Sequence, residues 1–250
     1  MKKLKIASQG GRWITLVGIL LLGGFAYRSP LGSWVSERLR FWQLGITRFK
    51  SPEGLSGLSR RGCAGNYCTC VGLIHGAGGE SADWEKLLTL PLHTWILPVD
   101  FYAFDLNDNE VGPKATGQKI LAGLNHFGRC QRWVLVGHSW GGWVAGWAAI
   151  EAAPKLSAVL LEDSAGFSKE HKPTDRYAGD FFDAQLAQIS IPTTVLWGMQ
   201  DWVLYSRFGR ELSAKIPHAR FIEQPNCGHL PHKECPGALV QALNDLLKRI

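Results

Sequence analysis

The chain has 250 residues, 46% of them hydrophobic, enough to bury one substantial core in a single domain. Its formal charge is +6, but Lys2, Lys3, Lys5 and Arg12 stand ahead of the first apolar run and leave roughly +2 on the rest of the chain. That balance gives no support for a nucleic-acid surface, and the chain has no internal repeat and no low-complexity block.

Taken in order, the chain opens on this basic segment and an uncharged apolar run, Trp13 to Tyr27. The pattern predicts a membrane anchor or a cleaved signal peptide over residues 1–27. The positive-inside bias would then put the rest of the chain across the membrane, as a membrane-anchored or secreted domain. Residues 28–66 read as a linker with unclear strands. Trp34 to Phe49 is amphipathic, Ile46 to Lys50 is compatible with a short strand, and Ser51 to Asn66 is unreadable. From residue 67 the pattern becomes regular. Apolar strands are expected at Cys68–Ile74, Thr94–Phe101, Arg132–Val136, Leu156–Leu161, Thr193–Trp197 and Ala219–Glu223. Helices are expected to about Leu88, over Lys114–Phe127, after Ser139 to Ala153, and over Phe181–Ile189, Ser206–Ile216 and Ala238–Ile250. Short apolar strands alternating with helices imply a parallel sheet covered on both faces.

In such sheets, active groups gather at the carboxyl ends of the strands. Here those ends carry His75-Gly76, Ser139, Asp163, Asp201 and, after the last strand, His229. Gly137-x-Ser139-x-Gly141 lies between a strand and a helix, where a sharp turn lifts the serine hydroxyl to the top of the sheet. A serine needs a neighbouring base, and the base a carboxylate that fixes its tautomer. His229 is the expected base, with His232 as the fallback. Asp201 is the expected acid, with Asp163 as its competitor. The backbone N–H of Trp140 and one from Ala77 or Gly78 are the expected oxyanion donors. His138 is expected to pack or hydrogen-bond under the turn, and His75 to shape the glycine loop.

The six cysteines allow several pairings. Cys68 and Cys70 share a strand face and cannot easily pair with each other. Cys63 can reach one of them, Cys227 and Cys235 can staple the loop around His229, and Cys130 reads as a buried thiol. A metal cluster of Cys63, Cys68 and Cys70 is the alternative.

At this point the chain resembles the α/β-hydrolase superfamily, in particular its single-domain serine esterases. The resemblance rests on Leu73-Ile74-His75-Gly76-Ala77-Gly78-Gly79, Val136-Gly137-His138-Ser139-Trp140-Gly141-Gly142, Leu196-Trp197-Gly198-Met199-Gln200-Asp201 and Gly228-His229-Leu230-Pro231-His232-Lys233-Glu234-Cys235-Pro236, in family order over roughly Cys68 to Leu247. It implies an α/β-hydrolase domain over residues 67–250 with a minimal cap. Ser139 is the implied nucleophile, Asp201 the acid, His229 the base, and Ala77 with Trp140 the oxyanion hole. Pro98 to Asp105 departs from the family, which usually has a glycine-rich loop there. The implied activity is hydrolysis of a small-molecule carboxylic ester through an acyl-enzyme, with no metal or organic cofactor. Acyl transfer, thioester cleavage, or a non-catalytic binding domain on the same fold are the alternatives. Tyr102, Phe104, Trp143, Phe167, Trp202 and Leu230 are expected as pocket walls.

Overall fold

A computed structural model describes residues 39–106, 111–151, 153–167 and 177–250. Two compact units divide the chain, Met1–Gly45 and Ile46–Ile250. Of the first, a helical turn at 39–43 is described, closed by Leu44 N–H donating to Arg40 O at 3.0 Å. The expected anchor, Trp13 to Tyr27, lies outside the described residues. Among the described residues no helix is long and apolar enough to cross a membrane. The transmembrane and signal-anchor reading and the membrane-anchored localisation are corrected accordingly: none of the described residues forms a spanning helix.

The second unit is built on one eight-stranded sheet: β1 (Ile46–Lys50), β2 (Ser56–Arg60), β3 (Cys68–Ile74), β4 (Val99–Asp105), β5 (Cys130–His138), β6 (Leu156–Glu162), β7 (Thr193–Gly198) and β8 (Arg220–Gln224). Their spatial order is β1-β2-β4-β3-β5-β6-β7-β8. β1 and β2 pair antiparallel, as do β2 and β4, and every other neighbour is parallel. The central parallel strands β3, β5, β6 and β7 are largely apolar because both their faces are covered, whereas β8, at the edge, is mixed and only partly buried. In β5 every side chain from Trp133 to His138 is buried.

The helices are α1 (Glu85–Leu88), α2 (Pro113–Leu124), α3 (Trp140–Glu151), α4 (Ser206–Lys215), α5 (Pro231–Glu234) and α6 (Pro236–Leu247). α2 and α3 pack together, while α1, α5 and α6 form a second group. α3 is buried from Trp140 to Ala149, as a helix apolar on all sides must be. Between β6 and β7 the described residues carry only 3-10 turns, Ala178–Asp180 and Leu186–Gln188, where a helix over Phe181–Ile189 was expected.

Three expectations are corrected locally. The strand expected at Thr94–Phe101 begins instead at Val99 and runs on to Asp105, because Thr94 to Leu97 find no strand partner. Trp95 is buried against Phe101, with ring centroids 4.9 Å apart. Asp100 is therefore a buried strand residue. Its Oδ1 accepts the N–H groups of Gly62 and Cys63 at 3.0 Å, and its Oδ2 pairs with Arg129 Nε at 3.0 Å. Cys130 is not a free thiol: it is bonded to Cys70 on the neighbouring strand. Cys63 pairs with Cys68 and Cys227 with Cys235, so all six cysteines are in disulfides and the sulfur metal cluster is excluded. Tyr102 and Phe104 are core residues, with Phe49 packed edge-on against both rings, so neither walls a pocket.

Candidate active site

The site forms where β3, β5, β6, β7 and β8 end on one side of the sheet. β5 stops at His138 and α3 starts at Trp140, so Ser139 alone makes the turn. Its φ is 51°, the left-handed region that a side-chain-bearing residue enters at a cost of about 1–2 kcal/mol. The surroundings hold it there. Ser139 N–H donates to Glu162 O at 2.9 Å, and Ser139 O accepts N–H groups from Gly142, Trp143 and Ala165. The flanking glycines are required by contact: a Cβ on Gly137 would stand 2.1 Å from Gly141 O, and one on Gly141 would stand 2.3 Å from Ile74 O. The turn thus leaves the Ser139 side chain half-buried at the end of the sheet.

The loop after β3 folds over this serine. A Cβ on Gly76 would lie 3.3 Å from Ser139 Cβ, which fixes how closely the loop passes. His75 shapes it as expected: Nδ1–H donates to Gly76 O at 2.7 Å, and Nε2 accepts Leu106 N–H at 3.1 Å. Among the described residues, the backbone N–H groups of Ala77 and Trp140 have no protein acceptor. The Trp140 amide also sits at the N-terminus of α3, where the helix dipole favours negative charge. A cleft of about 460 Å³ opens at Ala77, lined also by Gly76, Gly78, His138, Leu230 and Lys233.

Asp201 and His229 meet across two strand ends. His229 Nδ1 lies 2.8 Å from Asp201 Oδ2. Asp201 Oδ1 accepts N–H groups from Val203 at 2.8 Å and Leu204 at 2.9 Å. Burial pushes the Asp201 carboxyl up, but the bonds from His229, Asp163 and the Leu204 N–H outweigh it and leave the pKa below the ordinary value. Asp201 is therefore a buried carboxylate that accepts from Nδ1–H of His229. That tautomer leaves a lone pair on Nε2, which has no protein partner among the described residues. The loop carrying His229 is fixed at both sides. Glu234 accepts the N–H groups of Gly228 at 2.6 Å and Leu230 at 3.2 Å, and the Cys227–Cys235 disulfide closes the segment.

The structure separates the remaining candidates. Asp163, the competitor for the acid, does not hold His229, though its carboxylate lies within 4.8 Å of both Asp201 and His229. These three residues offer ligand atoms close enough for a cation, but His229 Nδ1 and Asp201 Oδ2 already bind each other, so a metal would have to break that bond. His232, the fallback base, is buried and bonded through Nδ1 to Glu162 Oε2 at 2.8 Å. His138 lies between the two histidine pairs. Its ring is 4.9 Å from that of His229 and 4.7 Å from that of His232, and its Nε2–H donates to His229 O at 2.7 Å. Burial, then His232 and His229, hold its pKa well below the usual imidazole value, so no positive charge develops there. Of the expected wall residues, Trp143 and Phe167 are buried, Trp202 is exposed, and Leu230 lines the cleft. The Glu162–His232 pair was not foreseen in the sequence. The one available signal was an acid at the end of β6, a single residue before Asp163.

A left-handed serine between strand and helix, with a carboxylate-bound histidine beyond the last strand of this sheet, gives the α/β-hydrolase architecture. Comparison with known proteins agrees. Residues 73–188 match the model of the Alpha/beta hydrolase family. The chain is 21% identical to the uncharacterized hydrolase YugF of Bacillus subtilis (strain 168), over 70% of this chain and 88% of that one. The solved structure of a bacterial membrane phospholipase A superposes with a TM-score of 0.65 at 17% identity, covering 95% of this chain and 98% of that one. Est1E from Butyrivibrio proteoclasticus superposes with a TM-score of 0.67 at 15% identity, covering 82% and 98%. The chain has the α/β-hydrolase fold, with esterase- and lipase-like structural relatives.

Proposed function

We propose that this protein is a serine hydrolase that cleaves a small-molecule carboxylic ester through an acyl-enzyme, with Ser139 as nucleophile, His229 as base and Asp201 as orienting acid. The observation that carries this reading is the His229–Asp201 bond, which leaves Nε2 as a free acceptor at the sheet end where Ser139 is held in a strained turn. His229 Nε2 takes the hydroxyl proton as Ser139 Oγ attacks the ester carbonyl. The developing oxyanion is received by the N–H groups of Ala77 and Trp140, which have no other acceptor among the described residues. The imidazolium then gives its proton to the leaving alkoxide, while Asp201 stabilises the transient charge. Water repeats the sequence on the acyl-enzyme and regenerates Ser139. Every proton in the cycle passes through His229, and no group beyond the chain and water is called for.

The test is labelling with a fluorophosphonate, which captures an activated serine. The wild type is expected to label stoichiometrically, with labelling lost in Ser139→Ala and His229→Ala and p-nitrophenyl ester hydrolysis falling in parallel. A folded wild type that does not label, or a Ser139→Ala variant that labels as the wild type does, would overturn the reading.

A further inference from the structure

Asp163 has no part in the cycle above, yet it is fully buried beside the acid that does. It follows β6, the neighbour of β7, so its side chain reaches the end of the strand that leads to Asp201. Its backbone is left-handed, with φ 41°, and is held by its N–H bond to Leu196 O at 3.0 Å. Oδ1 accepts Gly198 N–H at 3.0 Å. Oδ2 is buried with no hydrogen-bond partner while the group is counted as a carboxylate. A buried carboxylate oxygen without a donor is costly, and so is a second negative charge a few ångströms from Asp201 in a site closed to bulk solvent. One proton removes both costs. It turns the orphaned oxygen into a donor, with the Asp201 carboxylate as the acceptor beside it.

The bonding pattern decides which acid keeps that proton. Asp201 receives three N–H groups, two from the backbone and one from His229. Asp163 receives one, and follows Glu162 directly. Burial first, then the charges of Glu162 and Asp201, push its pKa well above the usual carboxyl range. The ionisable groups around the pair are Glu162, Asp201 and His229, with His138 and His232 behind them.

We propose that Asp163 is a positioning residue for the triad acid: it shares its proton with Asp201 and so holds the Asp201 carboxylate against His229. The proposal rests on the serine-hydrolase reading only for its effect on rate. The proton itself is testable without turnover.

The experiment uses the full chain as wild type, Asp163→Asn and Asp163→Ala. Infrared spectra at neutral pH are expected to show the carbonyl stretch of a protonated carboxyl in the wild type and to lose it in Asp163→Asn. Labelling of Ser139 by the fluorophosphonate is expected to slow about tenfold or more in Asp163→Ala. It should stay within about threefold of wild type in Asp163→Asn, whose amide N–H can replace the O–H donor. A wild type without the protonated-carboxyl band would overturn the proposal. So would an Asp163→Ala variant that labels at the wild-type rate, or a folded Asp163→Asn variant as slow as Asp163→Ala. If Asp163→Ala does not fold, the band and the isosteric Asp163→Asn variant decide. A wild type with the band but no labelling would keep the shared proton and defeat the serine-hydrolase reading instead.

Discussion

His229 with Asp201 and His232 with Glu162 are two imidazole–carboxylate pairs whose histidines are near neighbours in the chain, His229 just before α5 and His232 within it, each closed through Nδ1 at 2.8 Å. They differ in access. The His229 side chain is 16% exposed and its Nε2 has no protein partner among the described residues, whereas the His232 side chain is 2% exposed and packs against Trp84 at 4.6 Å between centroids. The inner pair is also tied to the serine turn, because the carbonyl of Glu162 accepts Ser139 N–H. Identical bonding therefore serves two ends. On the proposed function the outer pair moves a proton, whereas the inner pair is placed to hold the strand end on which the turn depends. An acid–histidine bond alone does not identify a base; an open nitrogen beside a nucleophile does.

The sharpest way to break this comparison is to delete each histidine. His229→Ala is expected to lower ester hydrolysis by about 10⁴-fold or more, and His232→Ala by less than about tenfold, measured as kcat on a p-nitrophenyl ester. Equal losses would erase the distinction. Stability should rank them the other way. His232→Ala strands Glu162 in the core and is expected to cost about 3 kcal/mol in chemical denaturation. His229→Ala should cost less, because Asp201 keeps its two backbone donors. The Cys227–Cys235 bond closes the loop that carries both histidines. Replacing both cysteines by serine is expected to cost about 2.5 kcal/mol and to lower kcat through the outer pair, read by denaturation and by turnover.

The smallest effect is a difference in slope with pH. The folded pKa of Asp163 is raised by burial and by Glu162 and Asp201, so its contribution to stability is complete below the unfolded carboxyl value of about 4 and is lost as pH rises toward the folded value. Asp201 is lowered, so its contribution is present above the unfolded value and is lost as pH falls through the folded one. Asp163→Asn should therefore gain stability relative to wild type as pH rises above about 4, seen in denaturation midpoints across that range. Parallel curves for the two proteins would show that Asp163 carries no shifted proton.

Much of the fold was legible because its strands are buried on both faces and its signals are local. β3, β5, β6 and β7 each carry a run of buried apolar residues, and the glycines around Ser139 mark the sharp turn directly. β1 and β2 were hard to read because they are short antiparallel strands, mixed in polarity, at one edge of the sheet. β4 was misplaced because Thr94 to Leu97 is as apolar as a strand, while only Val99 onward finds partners in β2 and β3. Cys130 was misread because its partner, Cys70, is 60 residues away and becomes a neighbour only through the pairing of β3 with β5.

The sequence alone determined the alternation of strand and helix, the serine turn, and the order in which serine, acid and histidine arrive at the strand ends. These follow from hydrophobic period and backbone sterics, which act over a few residues. The tertiary structure decided which acid meets which histidine. Asp163 and Asp201 follow adjacent strands, and His229 and His232 lie close together in the chain, so spacing along the chain cannot choose among their pairings. Sheet order and burial make that choice: they bring Asp201 to His229, seal Glu162 with His232, and leave Asp163 buried beside Asp201, where a second carboxylate charge is costly.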